Sequence, residues 1–105
     1  MKSMTVDELK DKIDNGHDFK LIDARTEQEY EEGHIRDAFL MPYDEIGDMH
    51  DILYADKDED IIVYCRTDNR SRVATSTLIG LGYTNVSFVL GGMIEWEQKG
   101  YPVQR

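Results

Sequence analysis

The only cysteine of the chain, Cys65, opens the run Cys-Arg-Thr-Asp-Asn-Arg-Ser, Cys65 to Ser71, directly behind the apolar stretch Ile61 to Tyr64. A lone cysteine has no internal partner for a disulfide, a C-x-x-C redox pair or a cysteine-rich zinc site, so its thiol chemistry needs an outside partner. Arg66, Arg70 and Arg72 crowd into seven positions, three of only 12 basic residues in a chain of formal net charge −10. Local charge thus opposes global charge. Such surroundings favour the thiolate, the nucleophilic form of cysteine. The structural alternative is a buried cysteine filling space as a small hydrophobe. The strand, loop and helix pattern and the flanking arginines favour the nucleophile.

Elements must place that thiol. Thr5-Val6-Asp7-Glu8 and Thr26-Glu27-Gln28-Glu29 both fit the S/T-x-x-E capping box, so each predicts a helix start. Val6, Leu9 and Ile13 share one face of the first helix, which Gly16 stops, and Gly33 ends the second. Strands are predicted at Phe19 to Ala24, Ala38 to Met41, Ile61 to Tyr64 and Val86 to Leu90. A helix is predicted over Asp44 to about Tyr54 on Ile46, Met49, Ile52 and Leu53. Another runs from Ser71, with Val73, Ala74, Thr77, Leu78 and Leu81 as its stripe and Gly82 as its stop. Gly91-Gly92 reads as a turn before a short helix over Met93 to Lys99.

Strands alternating with helices predict an α/β domain, a mostly parallel central sheet flanked by helices on both faces, in one unit over residues 1–105. Ile61 to Tyr64, uninterrupted and rich in β-branched residues, fits a central strand covered on both sides. Ligands of such sheets sit beyond the carboxyl ends of the strands, where Cys65 stands. Its loop can turn backbone N–H groups inward and end on a helix N-terminus, an arrangement that holds anions.

Net charge and composition exclude whole classes. The acidic balance disfavours nucleic acid and anionic membrane as partners. No run is long enough to span a bilayer and the N-terminal stretch lacks a signal-type apolar core, which places the chain as a soluble protein of the reducing cytoplasm. Between Glu27 and Asp60, 13 carboxylates face only Arg36 and Lys57, a pattern of a solvated face before a docking surface. His17, His34 and His50 are scattered, so no metal site is expected, and His34 reads as a packing residue. Asp23 and Arg25 read as an internal ion pair, and Trp96, Tyr83 and Tyr101 as packing residues.

Four motifs in order carry a family resemblance. Cys65 to Arg70 resembles the active-site loop of rhodanese-type sulfurtransferases, a cysteine opening a six-residue loop closed by a basic residue. Leu21 to Arg25 (LIDAR) is similar to the family's Asp-x-Arg signature, Glu31 to Ala38 (EEGHIRDA) to its Gly-His-Ile motif, and Leu81 to Val103 to its Gly-Tyr, Gly-Gly, Trp and Gly-Tyr-Pro-Val series. The resemblance covers nearly the whole chain. It implies transfer of sulfane sulfur from a donor such as thiosulfate through a Cys65 persulfide to cyanide or a thiol, with no cofactor.

It further implies roles for the loop. The backbone N–H groups from Arg66 to Ser71 surround the terminal sulfur, and Arg70 with Arg66 holds the sulfonate end of thiosulfate. Thr67, Asn69 and Ser71 add side-chain hydrogen bonds, Ser71 also as N-cap of the following helix. Related phosphatases use a loop one residue longer, and here the sixth position after Cys65 is Ser71, which disfavours phosphate. Two alternatives stay open: a persulfide carrier serving a protein partner, and a binding module with an inert cysteine. Asp68 stands where the family commonly has a glycine in a left-handed conformation. Its carboxylate either weakens thiosulfate binding and selects neutral or cationic compounds, or turns to solvent or to Arg66 or Arg72. Arg36-Asp37 replaces the more usual Pro-Gly of the second motif and is expected to alter a turn alone.

Overall fold

The computed structural model describes residues 1–105 and places five strands in one sheet: β1 (Lys2–Met4), β2 (Lys20–Asp23), β3 (Phe39–Leu40), β4 (Ile61–Tyr64) and β5 (Val86–Val89). Their order is β1-β5-β4-β2-β3, and every neighbouring pair runs parallel. The helices are α1 (Val6–Asp14), α2 (Glu27–Glu32), α3 (Ile46–Met49), α4 (Asn69–Gly80) and α5 (Gly92–Gln98), with a 3-10 turn at His50–Leu53. Since all strands point one way, the segments that follow Asp23, Leu40, Tyr64 and Val89 gather at one edge of the sheet.

Successive side chains of a strand face opposite ways, and β4 shows it in full. Ile61 and Val63 join Ile22, Ile46, Leu53, Ala74 and Leu78 under α3 and α4. Ile62 and Tyr64 join Val6, Leu9, Met93 and Trp96 under α1 and α5. Helices therefore cover both faces, as the apolar run predicted. Leu9 has no exposed surface, and its truncation to alanine is expected to cost about 3 kcal/mol.

Both capping boxes form. Thr5 Oγ1 accepts from Glu8 N at 3.1 Å while Glu8 Oε1 accepts from Thr5 N at 3.0 Å. At α2, Thr26 and Glu29 repeat the exchange at 3.2 and 3.1 Å.

One strand was not expected from the sequence, and two local expectations are corrected. The first strand, β1, carried no apolar alternation to announce it; as an edge strand with Lys2 and Ser3 exposed, it is held by pairing with β5. The helix expected over Asp44 to Tyr54 divides into α3 and a 3-10 turn, whose tighter period leaves Ile52 46% exposed. Along α4, the buried stripe is Ser71, Ala74, Thr75 and Leu78, while Val73 and Leu81 are exposed. Ser71, the first member of that seam, faces the cysteine.

Candidate active site

Strand β4 ends at Tyr64, and Cys65 turns the chain into a loop that enters α4 at Asn69. The Cys65 side chain is buried, with residue exposure of 1%. Its Sγ accepts the Ser71 backbone N–H at 3.3 Å, and the thiol stands 3.5 Å from Ser71 Oγ, which donates to the Asp68 carbonyl at 3.1 Å. Ser71 therefore lies inside the first turn of α4 and folds back on the thiol. It is not the N-cap expected of it; Asp68 takes that position without a side-chain capping bond.

The loop's shape comes from behind. Met93 N donates to the Cys65 carbonyl at 2.9 Å and Ile94 N to the Arg66 carbonyl at 3.1 Å. A planar trans peptide sets C=O and N–H in opposite directions, so the N–H groups of Arg66 and Thr67 turn away from α5. The N–H groups from Arg66 through Arg70 donate to no acceptor within the protein. Successive unpaired amides of this kind form a cradle for an anionic atom. Gly91 and Gly92, both at positive φ, let α5 begin this close: a Cβ on Gly92 would stand 2.5 Å from the Cys65 carbonyl oxygen. The Gly-Gly pair read as a turn is thus a backing plate for the thiol loop.

None of the three arginines bonds the thiol, although Arg70 lies close enough for its charge to interact with that of Cys65. Arg70 makes a two-point ion pair with Glu29 of α2, at 2.7 and 3.0 Å. Arg72 reaches Asp68 Oδ1 at 3.3 Å, and its guanidinium lies 4.5 Å from the centre of the Phe88 ring. Arg66 is exposed and has no ion-pair partner; it lines a small cleft with Arg25, Glu29, Glu32, Gly33 and Glu97. Thr67 and Asn69 are exposed, and their side chains bond no protein group. Asp68 adopts φ −146°, so the left-handed backbone implied by the family's glycine is absent. The positive φ of 68° falls instead at Asp37, in the turn where Arg36-Asp37 stands for Pro-Gly.

Glu29 is the residue that sequence reading left out of the site. Its capping-box role was legible, but nothing in the linear chain connects it to Arg70, 41 positions away. The Arg70 hydrogen bonds, against a smaller opposing effect of burial, hold the Glu29 carboxyl down at about 2. Glu29 in turn raises the Arg70 guanidinium. Both groups are charged at any physiological pH.

A buried network braces the adjacent strand end. Asp23 accepts from Arg25 Nε at 2.9 Å, Arg25 Nη2 at 2.7 Å and Tyr64 Oη at 2.8 Å. Arg25 Nη2 also donates to the Gly33 carbonyl at 2.6 Å, and Tyr64 Oη accepts from Ile35 N at 3.0 Å. Burial is the largest influence on Arg25 and works against its charge, yet the hydrogen bonds to Asp23 and the negative charge beside them together outweigh it and raise the guanidinium. Burial, then the Asp23 charge, pushes the Tyr64 phenol well above its usual range. Asp23 and Arg25 form the internal ion pair read from their spacing. His34 stacks on Tyr30 at 3.7 Å and bonds its carbonyl, a packing role. No cluster of three His, Cys, Asp or Glu side chains is arranged to hold a metal, and no helix is long and apolar enough to cross a membrane.

The chain is 35% identical over 96 residues to a sulfurtransferase of Allochromatium vinosum, covering 90% of this chain and 87% of that protein. It is 32% identical over 100 residues to a tRNA uridine(34) hydroxylase of Yersinia enterocolitica, covering 91% of this chain but only 28% of that longer protein. Among solved structures, a rhodanese-related protein of Thermoplasma volcanium superposes with a TM-score of 0.85 at 29% identity, over 99% of this chain and 98% of that one. The rhodanese-like domain model matches residues 5–99, which include the thiol loop, the braced strand end and the glycines behind them. The chain belongs to the rhodanese-like domain family.

Proposed function

We propose that the protein is a sulfurtransferase that carries a sulfane sulfur on Cys65 as a persulfide. The observation that supports this most directly is the thiol set at the head of successive backbone N–H groups that have no acceptor in the protein. The Cys65 thiolate attacks the outer sulfur of a donor such as thiosulfate or a small persulfide. The donor's S–S bond breaks, and its electron pair leaves with sulfite or with the donor thiolate. A new S–S bond now joins Cys65 to the transferred sulfur, whose negative charge the loop amides stabilise. An outside nucleophile, cyanide or a thiolate, then takes that sulfur and returns Cys65 to its thiolate. No cofactor enters either step. Arg66, Thr67 and Asn69, exposed around the mouth, are the side chains of the loop free to meet small donors and acceptors. Residues 1–105 act as one unit in this reading, and a single free thiol suits a reducing, cytoplasmic setting.

The test is intact mass after incubation with thiosulfate and, separately, with a small persulfide. A gain of one sulfur atom, removed by cyanide and absent in Cys65→Ser, is the expected result. No gain with either donor would remove the proposal.

A further inference from the structure

The charge around the thiol loop is opposite to what the loop's own sequence advertises. Of the four arginines near it, Arg25 is bound to Asp23, Arg70 to Glu29 and Arg72 to Asp68. Arg66 alone lacks an ion-pair partner, and the cleft it lines also presents Glu29, Glu32 and Glu97. The Arg70 guanidinium, the natural group to receive an anion, already holds a planar two-point bond to a carboxylate. Glu29 is fixed from its other side as well, since its Oε1 accepts from the Thr26 backbone N–H and hydroxyl at 3.1 Å each. An anionic sulfur compound can engage the Arg70 guanidinium only by displacing a carboxylate that Arg70 and Thr26 both hold.

We infer that Glu29 is a specificity-determining residue, which withdraws Arg70 from incoming anions and selects neutral or cationic sulfur compounds as the partners of Cys65. The inference rests on sulfur transfer at Cys65 for its biological meaning, but charge selection itself is a property of the thiol's surroundings. It predicts that thiosulfate is a poor donor beside a neutral or ammonium-bearing persulfide. It also predicts that a thiol acceptor carrying an ammonium group is preferred over one carrying a carboxylate. Asp68, tied to Arg72 at the rim, adds charge of the same sign.

The single thiol permits a direct test. Alkylation rates at Cys65 are measured with neutral iodoacetamide and anionic iodoacetate, and their ratio is compared with that of a free thiol. Discharge of the Cys65 persulfide is then timed with cysteamine, 2-mercaptoethanol and mercaptoacetate. In the wild-type protein the neutral-to-anionic alkylation ratio is expected to exceed the free-thiol ratio, and discharge, taken relative to that of a small-molecule persulfide by the same three thiols, to fall in the order cationic, neutral, anionic. Glu29→Gln keeps a side chain that can cap α2, removes the negative charge that occupies Arg70, and is expected to lower the alkylation ratio about tenfold. Thiosulfate loading should rise with it. A wild-type ratio equal to the free-thiol value, or one that Glu29→Gln leaves unchanged, overturns the inference. Persulfide formation with a flat ratio removes charge selection alone. A shifted ratio with no persulfide removes sulfur transfer and leaves charge selection standing.

Discussion

Gly92 packs so tightly on the thiol loop that a Cβ at position 92 would stand 2.2 Å from the Thr67 carbonyl oxygen. The Cys65 and Arg66 carbonyl oxygens would lie at 2.5 and 2.7 Å, and all three are backbone atoms that cannot swing aside. At φ +53° an L side chain is strained in addition. Gly92→Ala is expected to destabilise the fold by about 3 kcal/mol through overpacking and backbone strain. Its urea midpoint should fall, and its persulfide yield should fall further than the residual folded fraction explains. An unshifted midpoint would mean that the loop yields freely.

Asp23 is the acceptor on which Arg25 and Tyr64 both depend. Asp23→Asn leaves the buried Arg25 charge without its counter-ion and is expected to cost about 4 kcal/mol. Tyr64→Phe removes one bond to Asp23 and leaves the Ile35 N–H unpaired, for about 1–2 kcal/mol. Chemical denaturation of the two variants should rank them in that order.

The Glu29 carboxyl titrates lower in the folded protein, at about 2, than its ordinary value of 4.5. A depressed carboxyl contributes stability that is fully present above its unfolded value and is lost as pH falls through the folded one. The stability gap between wild type and Glu29→Gln should hold constant above about pH 5 and close between there and pH 2. Water and salt reach this pair, so a gap of about 1 kcal/mol is expected at neutral pH. Urea titrations at stepped pH measure it, and a gap independent of pH would refute the pairing.

Thr75 Oγ1 is buried in α4 with no hydrogen-bond partner. Valine has nearly the same shape and removes the unsatisfied hydroxyl. Thr75→Val is expected to raise stability by about 1 kcal/mol, readable as a higher melting temperature.

What could be read from the chain beforehand follows the range of the physics involved. The capping boxes at Thr5 and Thr26 join residues three apart, and both form as read. The bounds of β4 follow from burial on both faces, which leaves an unbroken apolar run. The Asp23 and Arg25 pair lies two positions apart and was equally legible. Three features escaped because their causes lie far off in sequence. β1 exists through pairing with β5, Arg70 is turned by Glu29, and the Cys65 loop is shaped by Gly92. Asp68 misled for another reason: a position that is glycine in relatives need not keep glycine's conformation, and here the non-glycine residues at positive φ are Asp37 and Tyr54.

The register that sets Lys2 beside Ser87 and Met4 beside Val89 also fixes an order of events. Contacts between such distant positions form slowly, because a long loop must close before they gain anything. On the ribosome, the first strand waits without a neighbour until the fifth has been made. The helix that presses Cys65 and its loop into shape emerges later still. The cradle therefore lacks its backing until α5 is made, and a nascent chain halted before Gly92 would carry the cysteine without it.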